Sequence, residues 1–167
     1  LHSGEADAVL AVGGESILCP IVVSGLAQAK ALSRRNDDPE HACRPFDADR
    51  DGFVIGEGGG ALLIETEEHA VKRGATIYAR LAGWANTSDA HHVTAPCPDG
   101  EGAARCMKLA LARAGMQPSD IGYINAHGTS TPLNEKYETI AIKKAFGDEA
   151  YNVKVSSTKS MTGHLLG

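Results

Sequence analysis

Short apolar runs typical of buried strands alternate along this chain with stretches whose apolar residues recur at helical spacing. The predicted strands are Ala8–Val12, Ala61–Glu65, Ile77–Trp84, Ile121–Ala126 and a last one that starts at Val153. The predicted helices are Glu67–Arg73, one that starts at Glu101 and stops before Gly115, and one that starts at Pro132 and ends at Gly147. This alternation predicts an α/β protein, because strands and helices that bury one another must be interleaved in sequence.

Composition and charge exclude several classes of protein. With 167 residues, 43% of them apolar and 22% charged, the chain has the make-up of a globular protein. A net charge of −5 leaves no basic surplus for a phosphate backbone, so we expect no nucleic-acid partner. No apolar run approaches the roughly 20 residues that cross a bilayer, so we expect no membrane span.

The four cysteines are Cys19, Cys43, Cys97 and Cys106. They contain no Cys-x-x-Cys pair, and a chain of this size does not depend on disulfides. We therefore expect packing or surface thiols in a reducing, cytoplasmic setting. A catalytic nucleophile is the alternative, which is disfavoured because none of the four has a nearby partner motif.

Gly56–Ala61 matches the dinucleotide-binding pattern G-x-G-x-x-G/A. That pattern binds a pyrophosphate only where a strand precedes it and a helix begins in it. Here the following residues, Leu62–Ile64, are typical of a strand. We therefore expect the glycines to allow close backbone packing instead of nucleotide binding.

Two other groups of residues resemble metal sites incompletely. Asp47, Asp49 and Asp51 reproduce the first half of a calcium loop, but the twelfth position is Gly58 instead of a glutamate. We expect a turn held by Asx-type hydrogen bonds. The group that comprises His91, His92 and Cys97 lacks a complete metal-ligand spacing, so a loop is expected there.

Two histidines stand where function is found in open α/β sheets, just beyond the ends of strands. His127 lies in Asn125–Pro132, and His164 closes Ser156–His164, a segment of hydroxyl-bearing residues with a lysine. Their placement predicts one shared pocket. On residue type alone, two ordinary hydrogen-bonded histidines are an equally good interpretation.

These two segments, together with Pro45–Gly58, resemble the conserved stretches of β-ketoacyl synthases, above all those that elongate acyl chains on acyl carrier protein. The resemblance spans essentially the whole chain. It implies a thiolase-like fold, in which two related halves each form a mixed five-stranded sheet with helices in layers. Residues 1–74 would then be the later part of the N-terminal half, and residues 75–167 the earlier part of the C-terminal half.

The resemblance also implies that the chain is an internal piece of a longer enzyme. The apolar run near Leu1 and the closing segment near Gly167 both suggest interrupted elements. The nucleophilic cysteine of the family would lie upstream of Leu1, and none of the four cysteines matches its position. We therefore expect this polypeptide alone to be inactive in condensation.

The resemblance assigns roles to six residues. His127 and His164 correspond to the two active-site histidines, which polarise the malonyl thioester oxygen while the substrate loses carbon dioxide. Lys159 matches the active-site lysine and Glu138 the glutamate that pairs with it. Thr129 and Thr131 match the threonines that bind the pantetheine arm, although helix capping by Thr131 explains that residue equally well.

The implied activity is decarboxylative Claisen condensation of an acyl thioester with malonyl thioester in fatty-acid biosynthesis, with acyl carrier protein as partner. No organic cofactor and no metal is expected in the chemistry, although the resemblance permits a monovalent ion near the site. The resemblance also implies a homodimer for the full-length enzyme. Two alternatives stay open: the ketosynthase region of a polyketide synthase, and a non-catalytic partner subunit resembling a chain-length factor. Retention of both histidines argues against the second.

Overall fold

The chain folds into nine regular elements and three short 3₁₀ turns in a computed structural model that describes residues 1–93 and 95–167. The strands are β1 (Ala8–Glu15), β2 (Gly58–Glu65), β3 (Tyr123–Asn125) and β4 (Lys154–Ser156). The helices are α1 (Pro20–Gln28), α2 (Glu67–Lys72), α3 (Glu101–Ala114), α4 (Pro132–Phe146) and α5 (Lys159–Thr162). The prediction of an α/β protein is confirmed.

The strands form two separate pairs. β1 and β2 are antiparallel, with Ala8 opposite Glu65 and Glu15 opposite Gly58. β3 and β4 are parallel, with Tyr123 opposite Lys154. The five-stranded sheets implied by the family are therefore represented by two strands each within the described residues.

The core lies between α3 and α4 and extends to the residue that precedes β4. Its buried members are small or apolar: Ala104, Ala141, Ile142, Ala145, Phe146 and Val153. Gly100, with φ +64°, precedes α3 and lies so close to α4 that an added Cβ would be 2.8 Å from the carbonyl oxygen of Tyr137. This close approach lets the start of α3 pack directly against α4.

Local sequence signals set the ends of both long helices as predicted. Thr131 caps α4, because its hydroxyl accepts a hydrogen bond from the Asn134 amide, and Pro132 follows as the first helical residue. Gly115 ends α3 in the left-handed region at φ +67°. Gly147 ends α4 at φ +58°.

One predicted strand does not form, and another forms but is exposed instead of buried. Ile77–Trp84 forms no strand, and its Tyr78 is 94% exposed. A strand requires a neighbouring backbone to pair with, and no such neighbour lies beside this segment in the described part of the chain. β1 is a strand, but Leu10 is 64% exposed, because a two-stranded sheet has no covering layer on its faces.

The glycine-rich segment and the aspartate turn behave as predicted. β2 starts at Gly58, and a Cβ on Gly56 would lie 2.3 Å from the Thr162 carbonyl oxygen, so this glycine serves close backbone packing. The Asp49 amide donates to the Asp47 side chain at 2.8 Å, which is an Asx turn. Asp51 instead accepts from the Ser33 hydroxyl at 2.6 Å, so the carboxylates do not converge.

Within residues 1–93 and 95–167, no cluster of three histidine, cysteine or acidic residues is arranged to hold a metal ion. In the same ranges, no helix has both the length and the apolar character that a membrane crossing needs.

Candidate active site

His127 lies two residues beyond β3, at an edge of the parallel sheet that β4 shares. Because β3 and β4 run in the same direction, their carboxyl ends meet at this edge. The Ala126 amide continues the pairing by donating to the Ser156 carbonyl at 2.8 Å. The Asn125 side chain accepts from the Thr158 amide at 3.1 Å, which joins the segments that carry the two predicted histidines.

His164 follows α5 and is held by the segment that precedes β2. Its amide donates to the Val54 carbonyl at 2.7 Å, and its carbonyl accepts from the Gly56 amide at 2.9 Å. The buried ring of Phe53 lies 5.0 Å from the His164 ring, measured between centroids. Pro45–Gly58, the third segment that resembles the family, therefore positions this histidine, and the close approach at Gly56 is what permits the contact.

The two imidazoles meet. Their centroids lie 5.5 Å apart, and the rings are nearly perpendicular at 88°. The predicted convergence of His127 and His164 in one place is therefore confirmed as geometry. The catalytic roles assigned to them stay predictions.

Both imidazoles have pKa values below the ordinary value for histidine. Desolvation by the surrounding residues, helped by the nearby Lys159 ammonium, lowers the pKa of His127 below its usual value of 6.5, although the residue as a whole is exposed to solvent. Burial, Lys159 and His127 together lower the pKa of His164 to about 4. The surroundings therefore resist formation of an imidazolium at either position.

The tautomer of His164 follows from one hydrogen bond. The Leu166 amide donates to His164 Nδ1 at 3.1 Å, so Nδ1 is an acceptor. In a neutral imidazole the proton must then reside on Nε2. His164 thus offers a single N–H donor of fixed direction, which suits stabilisation of a developing oxyanion.

Lys159 and Glu138 surround the His127 backbone from opposite sides. Lys159 Nζ donates to the His127 carbonyl at 2.7 Å. Glu138 accepts from the amides of His127 at 2.7 Å and Gly128 at 2.9 Å, and also from the Asn134 side-chain amide at 2.9 Å.

The predicted direct pair between Lys159 and Glu138 was wrong. Within the residues described here, no ion pair shorter than 4.0 Å joins them. Each charged group instead finds a backbone partner of the complementary kind on the same peptide unit. The physical reason is that the turn after β3 presents its N–H groups toward α4 and its carbonyl toward α5.

Thr129 and Thr131 lie on the turn between His127 and α4. Their hydroxyl oxygens are 2.9 Å apart, and Thr129 is buried. Thr131 also caps α4, as described above, so capping is a demonstrated function of that side chain. Binding of a pantetheine arm by these two residues stays a prediction.

A cavity of about 270 Å³ opens beside His127, lined among others by Cys97, Asn134, Tyr137 and Glu138. All four cysteines are free and partly buried, and Cys97 lines the same cavity as His127. A hydrogen bond to Asp99 raises the pKa of the Cys97 thiol, which disfavours the nucleophilic thiolate. Burial raises the pKa of the Cys43 thiol.

Several residues that shape the site were missed in the sequence. Arg50 and Glu135 form an ion pair at 3.3 Å that braces the turn after β3, and Ser130 at its centre has a positive φ of 71°. Arg50 lies in Pro45–Gly58, one of the three segments that resemble the family, which was a usable signal. Nothing in the spacing of Glu135 and Ser130 indicates their roles, because Arg50 and Gly52, which hold them in place, are distant in sequence.

Replacing Lys159 with methionine is expected to raise the pKa of both His127 and His164, because it removes a cation that disfavours each imidazolium. Both values should stay below 6.5, since burial is the larger cause. Titration of the imidazole resonances by NMR measures this, with a wild-type midpoint for His164 at about 4. Lys136→Met, whose ammonium lies over the Tyr137 ring, is the matched control.

Unchanged midpoints in Lys159→Met would contradict the electrostatic account.

The lowered pKa values of His127 and His164 also affect the stability of the folded chain. Below pH 6.5 the unfolded chain binds protons that the folded chain excludes, so the free energy of unfolding should fall as the pH drops from 6.5 toward 4.

Comparison with known proteins agrees with this architecture. Residues 1–70 match the family model described as the beta-ketoacyl synthase N-terminal domain, and residues 78–167 match the beta-ketoacyl synthase C-terminal domain. The whole chain is 57% identical to a 3-oxoacyl-[acyl-carrier-protein] synthase 2 of Synechocystis sp. and 54% identical to one of Staphylococcus aureus. The chain spans 40% and 41% of those two relatives' lengths.

A solved structure of a type II polyketide acyl-carrier protein in complex with its ketosynthase, which is bound to the hexaketide, superposes with a TM-score of 0.93. That match has 45% sequence identity and covers 98% of this chain and 40% of the other. The fold is the thiolase-like fold of ketosynthases. The chain belongs to the beta-ketoacyl synthase family.

Proposed function

We propose that this chain is part of a β-ketoacyl synthase of fatty-acid biosynthesis, which condenses an acyl thioester with malonyl thioester on acyl carrier protein. The observation that carries the proposal is the contact between two neutral imidazoles, of which His164 directs an N–H donor from Nε2. Such donors stabilise charge that appears only during the reaction, and they require no proton transfer to do so.

The chemistry follows from the placement of these donors. The malonyl carboxylate leaves as carbon dioxide, and the electron pair of the broken C–C bond passes to the thioester as an enolate. His127 and His164 hydrogen-bond the enolate oxygen. The α-carbon then attacks the acyl thioester carbonyl, forms the new C–C bond and expels the thiolate that had carried the acyl group.

We assign supporting roles to four other residues. Lys159 and Glu138 bind the His127 backbone and so fix the position of that ring. Lys159 also adds to the effect of burial in lowering the pKa of both imidazoles. Thr129 and Thr131 present adjacent hydroxyls on the turn that leads away from His127, where they would bind the amides of the pantetheine arm.

We further propose that residues 1–74 and 75–167 belong to the N-terminal and C-terminal halves of the synthase. The two matched family ranges, which end at residue 70 and begin at residue 78, support a boundary near Gly74. For the complete enzyme we propose a homodimer in the cytoplasm. Free cysteines in all four positions agree with a reducing compartment.

The second candidate is the ketosynthase of a polyketide pathway, which the similarity to the polyketide structure favours.

The proposed condensing activity is tested by incubating the complete synthase that contains this chain with acyl-carrier protein charged separately with hexanoyl and malonyl groups. We expect carbon dioxide and one 3-oxoacyl-carrier product with two added carbons. Repeated additions without reduction would favour the polyketide candidate. Absence of both products would contradict a condensing enzyme and favour a non-catalytic subunit.

A further inference from the structure

The turn that joins His127 to α4 contains a strained residue. Ser130 has φ +71° and is fully buried. Residues other than glycine adopt this region at a cost, so they persist there only where surrounding contacts hold them. Both backbone polar groups of Ser130 are bound: its amide donates to Glu135 Oε1, and its carbonyl accepts from the Gly52 amide at 2.9 Å.

Arg50 fixes the following part of the same turn. Its guanidinium donates to the carbonyl of Thr131 at 3.1 Å and to the carbonyl of Pro132 at 2.9 Å. A third N–H donates to the Asp47 carbonyl at 2.8 Å, which joins the turn to the Asx turn of Asp47 and Asp49. Only a planar, multiply donating cation can serve these three carbonyls together.

Glu135 makes the arrangement dependent on Arg50. Its side chain is 2% exposed, and Oε2 accepts no hydrogen bond of good geometry among the described residues. The Arg50 Nε atom, 3.3 Å from Oε2, is the cation that compensates for this buried carboxylate. Loss of the guanidinium fork would therefore leave the buried carboxylate without its compensating cation and would remove the contacts that join this turn to Asp47.

Ser130 lies between Thr129 and Thr131, so its φ angle sets the relative position of their hydroxyls. We propose that Arg50, through its pair with Glu135, is a positioning residue that holds these two hydroxyls in register for the amides of a pantetheine arm. This inference rests on the proposed function and adds a residue to it. Arg50 touches no reacting atom; it acts through the turn.

The test is Arg50→Lys in the complete synthase, with Arg44→Lys as the matched control. The Arg44 side chain belongs to the same loop and pairs with Asp47 at 3.0 Å. Decarboxylation is measured with malonyl-pantetheine and with S-ethyl malonyl thioester, which lacks the arm. For Arg50→Lys we expect KM for malonyl-pantetheine to rise about 10-fold, the equivalent of one lost hydrogen bond. Both kcat and the S-ethyl reaction should change by less than about twofold.

A Thr129→Val variant extends the test as a double-mutant cycle. We expect Arg50→Lys combined with Thr129→Val to be scarcely worse than Thr129→Val alone, since both changes act on the same contact. Equal losses on the two substrates, or fully additive losses in the cycle, would overturn the proposal and indicate a general structural role.

Amide hydrogen exchange separates this inference from the proposed function, because it does not depend on activity. In Arg50→Lys we expect faster exchange at Ser130 and Gly52, with unchanged exchange in α3, whose contacts lie elsewhere. If the wild-type enzyme decarboxylates neither substrate, the proposed function fails, and exchange still decides whether Arg50 holds the turn. Unchanged exchange at Ser130 would overturn the positioning role.

Discussion

Replacing His164 with alanine in the complete synthase is expected to lower malonyl decarboxylation by roughly 100- to 1,000-fold, as found when one preorganised oxyanion donor is removed. The reason is that His164 Nε2–H is a donor of fixed direction, since Nδ1 is occupied by the Leu166 amide. The neutral state of the ring, with a pKa of about 4, means that the loss should be the same from pH 6 to pH 8.

The measurement is release of carbon dioxide from malonyl-carrier under single-turnover conditions, which isolates the chemical step. His164→Gln is expected to recover part of the loss, because the glutamine amide can place an N–H near the position of Nε2. His69→Ala is the control, since the His69 ring is partly exposed and pairs with Glu65 instead of with any residue of the site. Undiminished decarboxylation in His164→Ala would remove this residue from the mechanism.

Replacing Glu138 with glutamine is expected to be nearly as damaging, although the two side chains have the same shape. The carboxylate accepts three hydrogen bonds, from the amides of His127 and Gly128 and from the Asn134 side chain. Glutamine has one oxygen, so its NH₂ group must face at least one of these donors. We expect the free energy of unfolding to fall by about 1–3 kcal/mol, the usual cost of an unsatisfied polar group.

Decarboxylation should fall by roughly 100-fold in the same variant, because displacement of the His127 backbone moves the ring that meets His164. Urea unfolding and single-turnover kinetics measure the two effects. Glu101→Gln is the matched control: its carboxylate makes an exposed pair with Lys144 at 3.4 Å, and its loss should cost less than about 0.5 kcal/mol. A Glu138→Gln enzyme as stable and as active as wild type would show that the three hydrogen bonds do not position His127.

The elements around the site were predictable to differing degrees. Thr131, Pro132 and Gly147 mark the ends of α4, because capping and termination depend on residues that are neighbours in the chain. The absence of a strand in Ile77–Trp84 was not predictable, since β structure needs a partner strand that local residues do not specify. The exposure of β1 was not predictable for a similar reason, because local residues do not specify which elements will cover a strand.

The site shows the same division. The two histidine segments could be recognised, and their convergence followed from the rule that parallel strands end at one edge. The direct pairing of Lys159 with Glu138 could not be checked in the sequence, and it was wrong, because each side chain binds the His127 backbone instead. A sequence gives the charges of two residues, whereas the choice between a side-chain and a backbone partner depends on angstrom-scale placement.

The amino-acid sequence by itself determined the α/β class, the capped ends of α3 and α4, and the family, since these depend on local propensity and on residue patterns. Tertiary structure alone decided that Phe53 and Gly56 hold His164, that Leu166 fixes its proton on Nε2, and that Arg50 braces the turn. The physical reason is the separation in sequence between the residues that interact. Caps and turns form between residues a few positions apart, whereas a hydrogen bond that sets a tautomer or a buried ion pair exists only once distant segments have packed together.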